Sequence, residues 1–87
     1  SRNSKKLNDQ VNLGSIQKLI DTKKIVQSKI IDIHVLRDVG LINKNTVSVK
    51  LLAKGALASK VKIEVSSASE KAKQVVEKLG GELKLIS

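Results

Sequence analysis

Lys60-Val61-Lys62-Ile63-Glu64-Val65 and Glu82-Leu83-Lys84-Leu85-Ile86 are the two stretches on which the fold class turns. In each, apolar and charged side chains alternate at the two-residue period of a strand with one buried face. Between them Ala72, Val75, Val76 and Leu79 recur at helical spacing, which aligns them in one apolar stripe. Ser67 and Glu70 stand at the spacing of a capping box, with Ser69 as a rival cap. Gly80-Gly81 then offers a left-handed helix stop and a turn. The whole reads as a C-terminal β-α-β unit, its strands parallel in one sheet and its helix laid over a sheet face.

Upstream the signals are weaker. Val47, Val49 and Leu51 alternate with Ser48, Lys50 and Leu52, a strand that Lys54-Gly55 ends and that the turn residues Asn43-Lys44-Asn45-Thr46 precede. Asp32 is placed to cap a short helix with Val35, Leu36 and Val39 facing inward and Gly40 as its stop. Ile25 to Ile31 reads as a mostly extended link. Asn12, as N-cap, precedes Leu13, Ile16, Leu19 and Ile20, one face of a helix running to about Lys24. Residues 1–10 are expected to be a basic arm and 11–87 one globular α/β domain, a size that suits the 87 residues.

Composition removes several kinds of chemistry. There is no Cys, which excludes disulfides, thiolate metal sites and thiol catalysis. Phe, Tyr and Trp are absent, so bases cannot be held by aromatic stacking as in RNA-recognition and single-strand-binding modules. No apolar run approaches the roughly 20 residues that cross a bilayer, and a soluble protein without membrane partners is expected. Met is absent even at position 1, so we expect Ser1 to follow a processed or trimmed segment.

Catalytic constellations are equally scarce. His34 is the one histidine, and Asp38 four residues on shares its helix face; such a pair can orient an imidazole, but it is ordinarily an exposed helical pair. No second His completes a metal site, and no Gly-rich loop with Lys-Ser/Thr cradles a phosphate. Ser66, Ser67 and Ser69 cluster where a helix cap is needed. No enzyme, cofactor or small-molecule substrate is expected.

The charge is concentrated. Seventeen basic and eight acidic residues give +9. Residues 39–63 contain Lys44, Lys50, Lys54, Lys60 and Lys62 and no acid, whereas 64–87 balance four Lys against four Glu. Arg2, Lys5 and Lys6 add a second acid-free cluster. A solvated face ordinarily mixes signs, so these stretches suit a polyanion. Lys50, Lys60 and Lys62 are expected on outward positions of neighbouring strands, with Lys54 at a turn, which would gather four ammonium groups on one side. With two Arg and many Lys, phosphate and shape recognition fit better than bidentate base reading. Glu70, Lys71, Lys73, Glu77 and Lys78 read instead as a solvated helix face.

Taken in order, Val11-Asn12-Leu13 with Ile16 and Leu19, Leu36-x-x-Val39-Gly40-Leu41-Ile42, Val49-Lys50-Leu51-Leu52-Ala53-Lys54-Gly55, Val61 to Val65, and Ser69-x-x-Ala72-x-x-x-Val76-Glu77-x-x-Gly80-Gly81 resemble the C-terminal globular domain of bacterial-type large-subunit ribosomal protein fifteen. The resemblance covers about Val11 to Ile86. It implies a small α/β domain with an irregular superhelical arrangement of β and α units, binding large-subunit ribosomal RNA beside neighbouring ribosomal proteins and supporting subunit assembly and translation. It further implies the ribosome of the bacterial cytoplasm, or alternatively of a mitochondrion or plastid. The family's long Gly/Arg/Lys-rich N-terminal extension does not stand before Arg2 to Lys6, which are expected to be its last residues. Ala53 stands where the family usually has Gly, and Ala56 where it has an acid. On this reading Arg2, Lys5, Lys6, Lys44, Lys50, Lys54, Lys60 and Lys62 are the RNA-binding residues. The rival reading is a non-ribosomal protein-interaction module that uses exposed Leu/Ile surface and carries its basic charge for solubility.

Overall fold

The structure, a computed structural model, describes residues 7–86. Its elements run β1 (Leu7–Asn12), α1 (Leu13–Asp21), β2 (Ile30–Ile31), α2 (Ile33–Asp38), β3 (Thr46–Leu52), β4 (Lys62–Val65), β5 (Ser67–Ala68), α3 (Glu70–Lys78) and β6 (Glu82–Leu85). The strands form two parallel three-stranded sheets, β1-β3-β5 and β2-β4-β6. Odd strands thus belong to the first sheet and even strands to the second, and the chain passes from one to the other at every step. Three such circuits make the superhelical α/β arrangement that the resemblance implies, and β4 and β6 pair in parallel across α3 as the C-terminal pattern requires.

A single aliphatic core joins both sheets to the helices. Val11, Val49 and Leu51 come from the first sheet and Ile31, Ile63 and Val65 from the second; Leu13, Ile16, Leu36, Ala72 and Val76 come from the helices, and all are buried. Burial of each large aliphatic side chain among them contributes about 1.5–3 kcal/mol, without any aromatic volume.

Several expectations change at the element ends. The boundary drawn at residue 10 falls inside β1, so Leu7 to Gln10 belong to the first sheet and not to an arm. α1 ends at Asp21, short of Lys24, because Lys23 takes the left-handed conformation at φ 64°. At all three helix ends the residue after the C-cap is left-handed and the next amide reaches back five residues: Lys24 to Leu19, Leu41 to Leu36, and Gly81 to Val76. Glycine fills that position at Gly40 and Gly80 but not at Lys23.

Asn12 precedes α1 as expected, yet its side chain makes no capping hydrogen bond. The Gly14 amide it would serve donates instead to the Lys54 carbonyl at 2.8 Å. Asp32 does cap α2, accepting from the Val35 amide at 3.0 Å, although of its three expected inward residues only Leu36 is fully buried. The capping box is not formed: Ser69 caps α3 through the Ala72 amide, because Ser67 and Ala68 are drawn into the ladder opposite Lys50 and Leu51.

Strand phases also shift. Val47 is an extra residue between the pairs Leu7–Thr46 and Asn8–Ser48, a bulge that leaves it 52% exposed while Thr46 is buried. Leu85, at the end of the edge strand β6, remains 45% exposed because it has a strand neighbour on one side only.

Two glycine contacts hold the circuits together. Cβ atoms added to Gly14 or Gly55 would lie 2.9 or 2.7 Å from the other's Cα. The tight backbone approach at this turn is therefore made by Gly55, at φ 78°, and Ala53 is accommodated beside it, packed against the core. A Cβ on Gly81 would lie 2.2 Å from the Val61 carbonyl oxygen, so only glycine permits β6 to start there.

Candidate nucleic-acid interface

Parallel pairing places cross-strand partners side by side on the same sheet face. On the outward face of the first sheet the rows are Asn8 beside Ser48, then Gln10 beside Lys50 beside Ser67, then Asn12 beside Leu52. None is a carboxylate. Lys50 lies at the centre and is exposed. Lys44 stands in the turn that leads into β3 and Lys54 just beyond its end, both exposed. These three lysines therefore stand before, within and just beyond one strand, whose seven residues span roughly 23 Å.

Local structure fixes both ends of that strand. At the entry, the Asn43 side chain accepts from the Asn45 amide at 2.8 Å, closing the turn that carries Lys44. The Asp9 carboxylate accepts from the Asn43 amide at 3.0 Å and from the Thr46 hydroxyl. Chiefly through the hydroxyl and then the amide, these donors hold the Asp9 carboxyl below the ordinary carboxylate range. The Arg37 guanidinium donates to the Thr46 carbonyl at 3.0 Å, tying α2 to the same place. At the exit, the Gly14 amide grips the Lys54 carbonyl, and the Gln17 side chain accepts from the Ala58 amide at 2.9 Å.

The second sheet is different. Lys62 lies beside Glu82, and Lys84 lies beside Glu64. Its outward face therefore alternates in sign, although Lys62 belongs to the acid-free stretch of sequence. Lys60, exposed, borders a cleft of about 350 Å³ with Lys62, Gln27, Ser28, Gly80 and Glu82. The Gln27 amide donates to the Lys60 carbonyl at 3.0 Å, fixing the cleft wall.

The expectation that Lys50, Lys60 and Lys62 occupy neighbouring strands is thus not met. β3 pairs with β1 and β5, whereas β4 pairs with β2 and β6. The reason is the crossing at residues 53–61, which carries the chain from one sheet to the other instead of folding it back as a hairpin. The structure sets exposed Lys44, Lys50 and Lys54 before, within and just beyond β3, and Lys60 and Lys62 at one cleft. Arg2, Lys5 and Lys6 lie outside the described residues.

Sequence reasoning missed the amides of β1. Their signal is present in Asn8, Gln10 and Asn12 at every second position, with Asp9 and Val11 between. The run reads as part of an arm because Asn and Gln are weak strand formers. His34 and Asp38 are both exposed, and no hydrogen bond joins them among the described residues. On α3, Lys73 and Glu70 approach to 3.7 Å at the surface, as a solvated face should.

Among the described residues no group of three or more His, Cys, Asp or Glu is arranged to hold a metal. No helix among them is long and apolar enough to cross a membrane.

Comparison with known proteins adds the family. Residues 10–84 match the model that describes ribosomal proteins 50S-L15 and 50S-L18e together with their 60S counterpart. The large ribosomal subunit protein uL15 of Erythrobacter litoralis is 44% identical over 77 residues, which cover 88% of this chain and 44% of that protein. Its counterpart in Rhodospirillum rubrum is 47% identical over 73 residues, covering 84% of this chain and 45% of that protein. The Agrobacterium fabrum protein is 43% identical over 77 residues, covering 88% and 48%. The chain thus spans about half the length of the curated relatives it matches. With a family model covering residues 10–84 and an α/β fold of superhelical circuits as the resemblance implies, the chain belongs to the family of ribosomal proteins 50S-L15 and 50S-L18e and their 60S counterpart.

Proposed function

We propose that this chain is a structural, non-catalytic domain of the large ribosomal subunit that binds large-subunit ribosomal RNA through phosphate contacts and supports subunit assembly and translation. Its setting is the bacterial cytoplasm, as the bacterial sources of the relatives suggest. The contacts are assigned to Arg2, Lys5, Lys6, Lys44, Lys50, Lys54, Lys60 and Lys62. The observation that carries the reading is Lys50 at the centre of an outward sheet face whose rows hold no carboxylate, with exposed Lys44 and Lys54 just beyond the two ends of its strand. A phosphate backbone laid along β3 meets Lys50 at the centre of that face and lysines beyond both strand ends, while the Asp9 carboxylate, in register with buried Val49, is engaged by the Thr46 hydroxyl and the Asn43 amide.

Neighbouring ribosomal proteins are the second class of partner. Val26 and Ile30 are 54% and 46% exposed. They border a groove of about 200 Å³ with Ile31, Val35 and Val39, a surface of the chemistry that protein contacts use.

Salt titration of binding to a large-subunit ribosomal RNA fragment tests the RNA reading. With about five phosphate contacts, the log–log slope is expected near −4 to −5. Replacing Lys44, Lys50 and Lys54 together by Gln makes it shallower by roughly 3. A slope near zero, or one unchanged in the triple variant, refutes it. A pull-down that still recovers a protein partner after nuclease treatment, with no RNA affinity, favours the protein-interaction module.

A further inference from the structure

The outward face of the first sheet carries polar side chains without a partner among the described residues. Asn12 sits at a helix N-cap without capping. The side chains of Asn8, Gln10, Ser48 and Ser67 likewise enter no hydrogen bond among the described residues. Three amides in a six-residue strand are unfavourable for that strand. Residues that break a local preference without an internal gain point to a demand from outside the fold.

The chemistry of the face selects its occupant. An ammonium group only donates and a carboxylate only accepts, whereas an amide or a hydroxyl does both. A ribose 2′-hydroxyl is also both donor and acceptor, and it is the group by which a protein tells RNA from DNA. In an A-form duplex these hydroxyls line a wide, shallow minor groove, which a sheet face of short polar side chains can approach. The row Gln10–Lys50–Ser67 crosses three strands, about 10 Å, and successive amides along β1 are spaced by roughly 7 Å. Phosphates bordering such a groove would meet Lys44 and Lys54 at the two ends of β3. The neighbouring sheet offers no such surface, because Glu64 and Glu82 interrupt it.

We propose that Asn8, Gln10 and Asn12, with Ser48 and Ser67, form an RNA-selective face that hydrogen-bonds ribose 2′-hydroxyls in a duplex minor groove while Lys44, Lys50 and Lys54 hold the bordering phosphates. The inference rests on the RNA-binding reading above and adds to it a means of discriminating the sugar.

The test compares the full chain on a synthetic RNA hairpin and on the 2′-deoxy and 2′-O-methyl hairpins of the same sequence. The chain is expected to prefer the RNA hairpin. Asn8→Ala with Gln10→Ala lowers the ratio of RNA to deoxy affinity about tenfold and leaves deoxy affinity and the salt slope unchanged. Lys50→Gln lowers both affinities together and makes the slope shallower. Where alanine weakens β1, seen as a lowered melting temperature, Gln10→Val gives the same reading in a residue that favours strands. An unchanged ratio in these variants, or equal loss on all three hairpins, overturns the sugar-reading face and leaves the RNA-binding reading standing. Failure of the unaltered chain to bind any hairpin overturns both. Loss of a ribosomal protein contact in the amide variants, with RNA affinity intact, assigns the face to protein and overturns the proposal.

Discussion

The two sheets are built alike and present opposite outward faces. Each has three parallel strands, and each turns aliphatic side chains toward the shared core. Outward, β3 and its partners carry amides, hydroxyls and Lys50, whereas β4 and β6 set Lys62 beside Glu82 and Lys84 beside Glu64. Lys50 and Lys62 come from the same acid-free stretch of sequence. Their surroundings differ because a residue on a parallel sheet takes its neighbours from strands far along the chain. A run without carboxylates becomes a face without carboxylates only where the outward positions of the paired strands are also uncharged or basic.

Four experiments break or sharpen this contrast. The largest effect is expected from the glycine contacts that hold each sheet's circuit closed. Gly81→Ala drives a Cβ into the Val61 carbonyl at the start of β6 and is expected to cost about 2–4 kcal/mol in urea unfolding. Gly55→Ala, against Gly14, should cost a similar amount at the first sheet and also strains a left-handed position. Equal and small losses would mean that the circuits close without these contacts.

Charge reversal compares the faces directly. Lys50→Glu is expected to weaken RNA binding about tenfold, and Lys62→Glu about two- to threefold, because Lys62 already lies beside Glu82. Binding measured in one buffer of fixed ionic strength decides it, and equal losses would show diffuse charge. Glu77→Gln on α3 serves as the control expected to change little.

Acid is expected to loosen the Asp9 clamp at the entry of the first sheet. Asp9 is held below its ordinary range by Thr46 and Asn43. A carboxyl depressed on folding contributes stability above its unfolded value, about 3.9, and that contribution is lost as pH falls through the lower folded value. Thermal melts are therefore expected to fall below about pH 4, and Asp9→Asn should flatten that part of the profile. An unchanged profile would detach β1 from this clamp.

The smallest effect lies in the connection between the sheets. Lys23 occupies the left-handed position that glycine fills after α2 and α3. Lys23→Gly is expected to raise stability by about 0.5–1 kcal/mol, read as a shift in the urea midpoint, while binding stays unchanged.

The legible parts of the fold were those with a strong local period. Val61, Ile63 and Val65 alternate over a uniform run, and Ala72, Val75, Val76 and Leu79 admit one helical face. β1 and β5 escape such a reading because neither is stable as a local unit. The first is half amide, and the second is two residues long with a serine, Ser67, that also suits a capping box. Both exist because β3 offers them open ladder positions. The lysines of the candidate surface could be named from charge alone, but their division between two sheets and the amides beside Lys50 could not.

By itself, then, the amino-acid order determined an aliphatic α/β domain with a C-terminal strand–helix–strand unit, a basic excess centred on residues 39–63, and no thiol or aromatic chemistry. Periodicity and composition are properties of neighbours along the chain. Which lysines share a surface, and whether a carboxylate lies among them, depended on pairings such as Gln10 with Lys50 and Lys62 with Glu82. Those pairings arise only when burial of the common core forces distant strands into register.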